Sequence, residues 1–127
     1  MKSEWSSSWK SSKQPRKQRK FRHNAPKHIM NKFVSCHLSP ELRKKYNTRS
    51  ITLRKGDKVK IVRGQFRGKT GSVDRINLKK SRIYVTGIET IKKDGSKAFY
   101  PINPSNLMIT EIKVDDRTRL KNKGSKK

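Results

Sequence analysis

Between Gly64 and Thr70 the chain reads Gly-Gln-Phe-Arg-Gly-Lys-Thr, with three residues between the glycines. A phosphate-binding P-loop needs four, and its glycine position would fall on Arg63. The residues after Thr70 alternate like a strand, whereas a P-loop feeds a helix whose N-terminus holds phosphate. Nucleotide hydrolysis is therefore not expected. His23, His28, Cys36 and His37 are the best metal-ligand grouping, but they contain no Cys-x-x-Cys pair, and adjacent Cys36-His37 is poor ligand spacing. A nucleophilic Cys36-His37 pair fares no better, since sequence neighbours seldom face each other and no orienting acid stands nearby. Asp115-Asp116 reads more simply as a helix start, pairing with Arg117 and Arg119, than as a carboxylate site. No catalytic residue, metal ion or cofactor is expected.

The chemistry that survives is cationic. Thirty-five Lys/Arg against 9 Asp/Glu give a net charge of +26 in 127 residues, so an anionic partner must take up the field. The segment Lys13–Arg22 holds 6 Lys/Arg in 10 residues and no acid, where a merely solvated face would intersperse acids. Lys13, Arg16, Lys17, Arg19, Lys20 and Arg22 are read there as phosphate contacts, joined downstream by Lys27, Lys32, Arg43, Lys44, Arg49, Arg54 and Lys55. In the glycine loop, Arg63, Arg67 and Lys69 can reach phosphates, and Phe66 can stack on a base or plug the domain. Lys79, Lys80 and Arg82 complete the set. Gly64, Gly68 and Gly71 are expected to adopt backbone conformations that other residues resist. Trp5 and Trp9, four apart, would share one helix face and could stack on bases or enter a neighbouring protein's groove.

These residues need elements to hold them. The chain has room for one domain, and hydrophobic residues are only 29% of it. Residues 1–24 are basic and polar, a composition expected to stay extended or disordered. Residues 25–50 suggest short helices. Ile29, Met30, Phe33 and Val34 recur at helical spacing after a possible Asn24 cap, and Ser39-Pro40 opens a second helix over 39–46. Residues 51–114 carry most of the apolar surface and read as strands, with runs near Lys58–Ile61, Thr70–Ile76, Arg82–Val85, Ile88–Lys93, Lys97–Ile102 and Leu107–Val114. Asp94-Gly95 signals a type I′ hairpin, and Pro101 with Pro104 a bend. Five or six short strands with little helix imply a small barrel. Residues 115–127 add one helical turn and a basic tail.

The longest strictly apolar runs, such as Leu107-Met108-Ile109, are three residues, far below the roughly 20 of a membrane-spanning helix. Membrane insertion is not expected. The N-terminus has no apolar stretch of a secretory signal, and the single Cys36 cannot form an internal disulfide, so a cytoplasmic location is expected.

The stretch from Lys55-Gly56-Asp57 through Gly64-Gln65-Phe66-Arg67-Gly68 to Gly71-Ser72-Val73 resembles the KOW motif, a strand-loop-strand element of ribosomal proteins and transcription elongation factors. Further blocks extend the likeness: Gln14-Pro15-Arg16-Lys17-Gln18-Arg19-Lys20, Asn24-Ala25-Pro26, Leu38-Ser39-Pro40-Glu41-Leu42-Arg43, Tyr46 with Arg49-Ser50, and Pro104-Ser105-Asn106. Together they resemble the large-subunit ribosomal protein 24 family, called 26 in eukaryotes, over residues 14–117, and Phe99–Ser105 looks more archaeal than eukaryotic. Residues 1–13 do not match its pattern. The resemblance implies a mainly β protein: a small SH3-like barrel, or KOW domain, with a basic N-terminal extension containing short helices and a short basic C-terminal tail. It also implies direct binding to large-subunit rRNA near its 5′ end, an early role in subunit assembly, and a place near the nascent-chain exit. The partners implied are rRNA, neighbouring ribosomal proteins and nascent-chain or targeting factors, with no homo-oligomer. The competing classes are a KOW module of a transcription elongation factor, which usually follows a larger N-terminal domain, and a non-specific nucleic-acid binder, which would not require the ordered blocks.

Overall fold

The computed structural model describes residues 5–114 and 118–121. It opens with a 3₁₀ turn (Ser7–Ser11) and helices α1 (Pro15–Asn24) and α2 (Lys27–Phe33). Strand β1 (Ser35–Leu38), helix α3 (Pro40–Tyr46) and strand β2 (Ser50–Thr52) follow. Then come β3 (Lys58–Ile61), β4 (Thr70–Asn77), β5 (Arg82–Val85), β6 (Glu89–Ile91) and β7 (Lys97–Phe99). A second 3₁₀ turn (Pro104–Asn106) leads to β8 (Leu107–Glu111), and helix α4 (Thr118–Lys121) comes last. Asp115-Asp116 and the tail beyond residue 121 lie outside the described residues.

Six strands form one sheet in the order β2-β1-β8-β3-β4-β5, and β6 pairs with β7 in a separate hairpin. Every pairing among these strands is antiparallel except β1 with β8. The sheet is bent by register shifts at Lys58/Val59 and at Val73/Arg75, where an extra residue kinks the strand and strengthens its twist. It does not close on itself. After β5 the chain leaves into the β6–β7 hairpin and, among the described residues, returns to β5 through the bridge Ile83–Ile102. The result is a mixed helix-and-sheet domain with an open sheet.

The alternation read from the sequence is the burial pattern. Val59 and Ile61 are buried while Lys58 and Lys60 are exposed, and in β5 buried Ile83 and Val85 alternate with half-buried Arg82 and Tyr84. Val34, Cys36, Leu38, Ile51, Val73, Ile88, Leu107 and Ile109 complete most of the core.

Four local expectations change. Residues 1–24, expected to stay extended or disordered, hold a 3₁₀ turn and the ten-residue helix α1, because Trp5 packs on Phe21 and Gln18 bonds back to the Ser12 carbonyl. The helical spacing after Pro26 ends at Phe33, because residues 35–38 become a strand between β2 and β8. Asn24 is the last residue of α1 rather than the cap of α2. The β6–β7 connection is longer than a type I′ turn. Gly95 N–H donates to Lys92 O (3.0 Å), Lys92 N–H to Ser96 O (2.8 Å), and only Gly95 of the Asp94-Gly95 pair has positive φ.

The glycines divide into two kinds. Gly64 and Gly68 have φ of +99° and +89° with open space around an added Cβ. Gly71 lies outside the left-handed region, and a Cβ there would sit 2.6 Å from Thr86 O and 2.7 Å from Val85 Cγ1. Its constraint is close approach of backbone, not dihedral strain. Gly64→Ala is expected to lose about 1–2 kcal/mol to left-handed strain. Gly71→Ala, overpacking a β4–β5 contact that backbone cannot relieve, should melt at a lower temperature than Gly64→Ala in parallel thermal scans.

Candidate nucleic-acid interface

The cations nominated by the sequence come from distant segments, and the fold gathers many of them. Arg19, Arg22 and His23 of α1 line one cleft with Lys79, Lys80 and Ser81 of the β4–β5 connection, with Arg82 at the start of β5 and with Asn103. Among the described residues, no acidic side chain lines it. Arg82 and Asn103 also line an adjoining cleft with Arg63, Gln65, Phe66, Tyr100 and Asn106. The two clefts thus share a wall, and α1, the β4–β5 connection and the glycine loop form one cationic band.

The glycine loop is held by its own backbone. Gly68 N–H donates to Ile61 O (2.8 Å), Ile61 N–H to Lys69 O (2.9 Å) and Arg67 N–H to Gly64 O (3.2 Å). Arg63, Arg67 and Lys69 are left exposed. Phe66 is half-buried, packing against the core and edge-on to Tyr100 at 5.0 Å between centroids, with Lys69 Nζ 5.1 Å from its ring. Its ring therefore belongs in part to the domain's interior.

A further group surrounds His37 on β1. Burial lowers its pKa first, and repulsion from Arg43, Arg49 and Arg63 lowers it further. Arg63 of the glycine loop and Arg43 of α3 thus both act on His37, and Arg43 Nε donates to Leu38 O (2.9 Å). A base with a depressed folded pKa takes its proton more readily unfolded, so its linkage disfavours folding only as pH falls below about 6.5.

Lys13, Arg16, Lys20, Lys27, Lys32, Lys44, Arg54 and Lys55 are exposed, Lys17 half-buried, and none of them lines these two clefts. Lys17 and Lys20 instead lie 5.1 and 4.6 Å from the Trp9 ring. Cys36 is a buried thiol donating to Pro104 O (2.8 Å), and burial, with a lesser push from the Asp57 charge, raises its pKa to about 12. A thiol-reactive dye at pH 8 should leave Cys36 unmodified in the native protein and label it promptly in denaturant; labelling at equal rates would contradict this burial.

One residue with structural weight has only a faint sequence signal. Asp57 is fully buried, and its carboxylate accepts from Arg54 N–H (2.9 Å), Lys113 N–H (3.0 Å) and both Nη groups of Arg119. Arg119 also donates to Thr52 O (2.8 Å), which fastens α4 to the sheet. The available clue is a lone acid inside the basic run Arg54-Lys55-Gly56-Asp57-Lys58. Sequence proximity assigns Arg119 to Asp115-Asp116, which lie outside the described residues; among the described residues its guanidinium meets Asp57.

A family model covering the ribosomal proteins L26 of eukaryotes and their archaeal counterparts, numbered 24, matches residues 12–123. The large ribosomal subunit protein uL24 of Methanosphaera stadtmanae is 52% identical over 108 residues, covering 85% of this chain and 92% of that protein. Its counterpart of the same name in Methanoculleus marisnigri is 49% identical over 108 residues, covering 85% and 89%.

Proposed function

This chain belongs to the family of eukaryotic L26 and archaeal 24 ribosomal proteins, and from that premise we propose that it is a structural constituent of the large ribosomal subunit that binds rRNA directly. The observation that carries the RNA reading is the acid-free cleft in which Arg19 and Arg22 of one segment meet Lys79, Lys80 and Arg82 of another. Cations from two separate elements facing one cleft suit the closely spaced phosphates of folded RNA, where each contact fixes orientation. Arg63, Arg67, Lys69, Arg43 and Arg49 extend the contact, and the exposed part of Phe66 meets RNA beside them.

The finer reading follows the family resemblance. On it, the protein works in the cytoplasm on ribosomes, bound to large-subunit rRNA near the 5′ end, with an early role in assembly. Its site is near the nascent-chain exit, among neighbouring ribosomal proteins and within reach of targeting factors. Residues 51–114 act as the KOW, SH3-like unit, with 1–24, 25–50 and 115–127 as its basic flanks. The glycine pattern and the bent sheet support that assignment.

Sedimentation of a cell lysate on a sucrose gradient tests the proposal. The protein should co-migrate with the large subunit and stay there through a high-salt wash; a predominantly free or polymerase-associated pool would overturn it. Within the loop, Arg67→Ala and Lys69→Ala should each change stability by less than about 0.5 kcal/mol. Both should weaken RNA binding, most at low salt. Wild-type affinity in both would remove the glycine loop from the interface.

A further inference from the structure

Residues 5–11 lie outside the family match, which begins at residue 12, yet they are packed against α1. Trp5 packs on Phe21 with ring centroids 5.2 Å apart and planes tilted by 34°, and Phe21 meets Phe33 edge-on at 6.0 Å. The Trp5 indole N–H donates to Phe21 O (3.1 Å), a carbonyl in the last helical turn, where acceptors lack intrahelical partners. From the helix side, Gln18 Nε2 donates toward the carbonyls of Ser12 (2.6 Å), Lys10 (3.0 Å) and Trp9 (3.3 Å). Lys17 and Lys20 lie over the Trp9 ring.

Helix α1 needs such support. It has ten residues, no acid in its first turn and no side-chain cap at Gln14. Isolated helices shorter than about 12–15 residues are marginal in water. Arg16 and Lys20, Arg16 and Arg19, and Arg19 and Arg22 are like-charge neighbours at helical spacing, which oppose the helix. Only Phe21 of α1 is buried.

We propose that Trp5, Trp9 and Gln18 are positioning residues for RNA binding: the N-terminal segment clasps α1, holding it helical before RNA arrives and keeping Arg19 and Arg22 facing the β4–β5 connection. This rests on the RNA reading for its consequence, though not for the clasp itself. A pre-formed helix spares RNA binding the ordering of this segment, and apparent affinity falls in proportion to the competent fraction.

Full-length Trp5→Ala and Gln18→Ala variants test it by amide hydrogen exchange and by titration with large-subunit rRNA at several salt concentrations. Alanine is the better helix former, so local propensity alone would make Gln18→Ala protect α1 more. The clasp predicts the opposite: exchange in residues 18–24 accelerates about ten-fold or more while the sheet is unchanged. Affinity then falls up to about ten-fold if the helical fraction falls to about a tenth. Because every cation is retained, the salt slope stays as in wild type, whereas each lost phosphate contact would reduce it by about 0.7–0.9. Unchanged exchange in α1 would overturn the clasp. Accelerated exchange with unchanged affinity would overturn its positioning role. A wild-type protein without salt-dependent rRNA affinity would overturn the RNA reading and leave the exchange result to judge the clasp.

Discussion

Asp57→Ala should destabilise the protein by about 3–5 kcal/mol, the range for breaking a buried ion pair on one side. The carboxylate is fully buried and receives two backbone N–H groups and the Arg119 guanidinium, whose side chain is only 4% exposed. Alanine would strand that guanidinium without a counter-charge and leave the Arg54 and Lys113 amides without their acceptor. Domains of this size are stable by only about 5–15 kcal/mol, so the loss is a large share of the total. Urea unfolding measures it. Arg119→Leu in the Asp57→Ala background should recover part of the loss, because no buried charge is left unpaired. Recovery stays incomplete, since the carboxylate that accepted from the two amides is gone. A loss below about 1 kcal/mol for Asp57→Ala would place the pair in solvent and refute this account.

Replacing Arg19, Arg22, Lys79, Lys80 and Arg82 together by alanine should nearly abolish rRNA binding at physiological salt. If each meets one phosphate, the log–log salt slope falls by about 3.5–4.5. Four of the five are exposed and only Arg82 is half-buried, so the melting temperature should stay close to wild type. Replacing Lys92, Lys93 and Lys97 of the β6–β7 hairpin controls for net charge, because these exposed cations line neither cleft. Filter binding across a salt series separates the cases. If the hairpin variant lowers the slope as much per cation as the cleft variant, binding follows total charge and the cleft is no distinct site.

Much of the fold is legible because sheet formation leaves a local trace. Period-two alternation locates β3 and β5, and the predicted runs starting at Thr70 and Leu107 are β4 and β8. Ser39-Pro40 marks the start of α3, although the Ser39 side chain makes no capping bond. Strand β1 escapes a local reading because its four residues follow helically spaced apolar positions without a break, and its extended form depends on β2 and β8 flanking it. Helix α1 escapes it for the complementary reason. Its composition cannot make a core, and the stabilising partners are aromatic rings outside the helix, at positions 5 and 33.

Residue types and short-range spacing are enough to read a strongly cationic chain, its family, the alternation of its strands and the basic stretches from which an interface could be drawn. These properties depend on residue type and on neighbours a few positions away. Long-range packing brings Arg19 and Arg22 into a cleft with Lys79 and Arg82, commits Phe66 in part to the interior, and gives Arg119 to Asp57, 62 residues away. Charge and hydrophobicity are carried by each residue singly. Which charges come together depends on long-range strand pairing and the path of the chain between strands, and no local pattern encodes that.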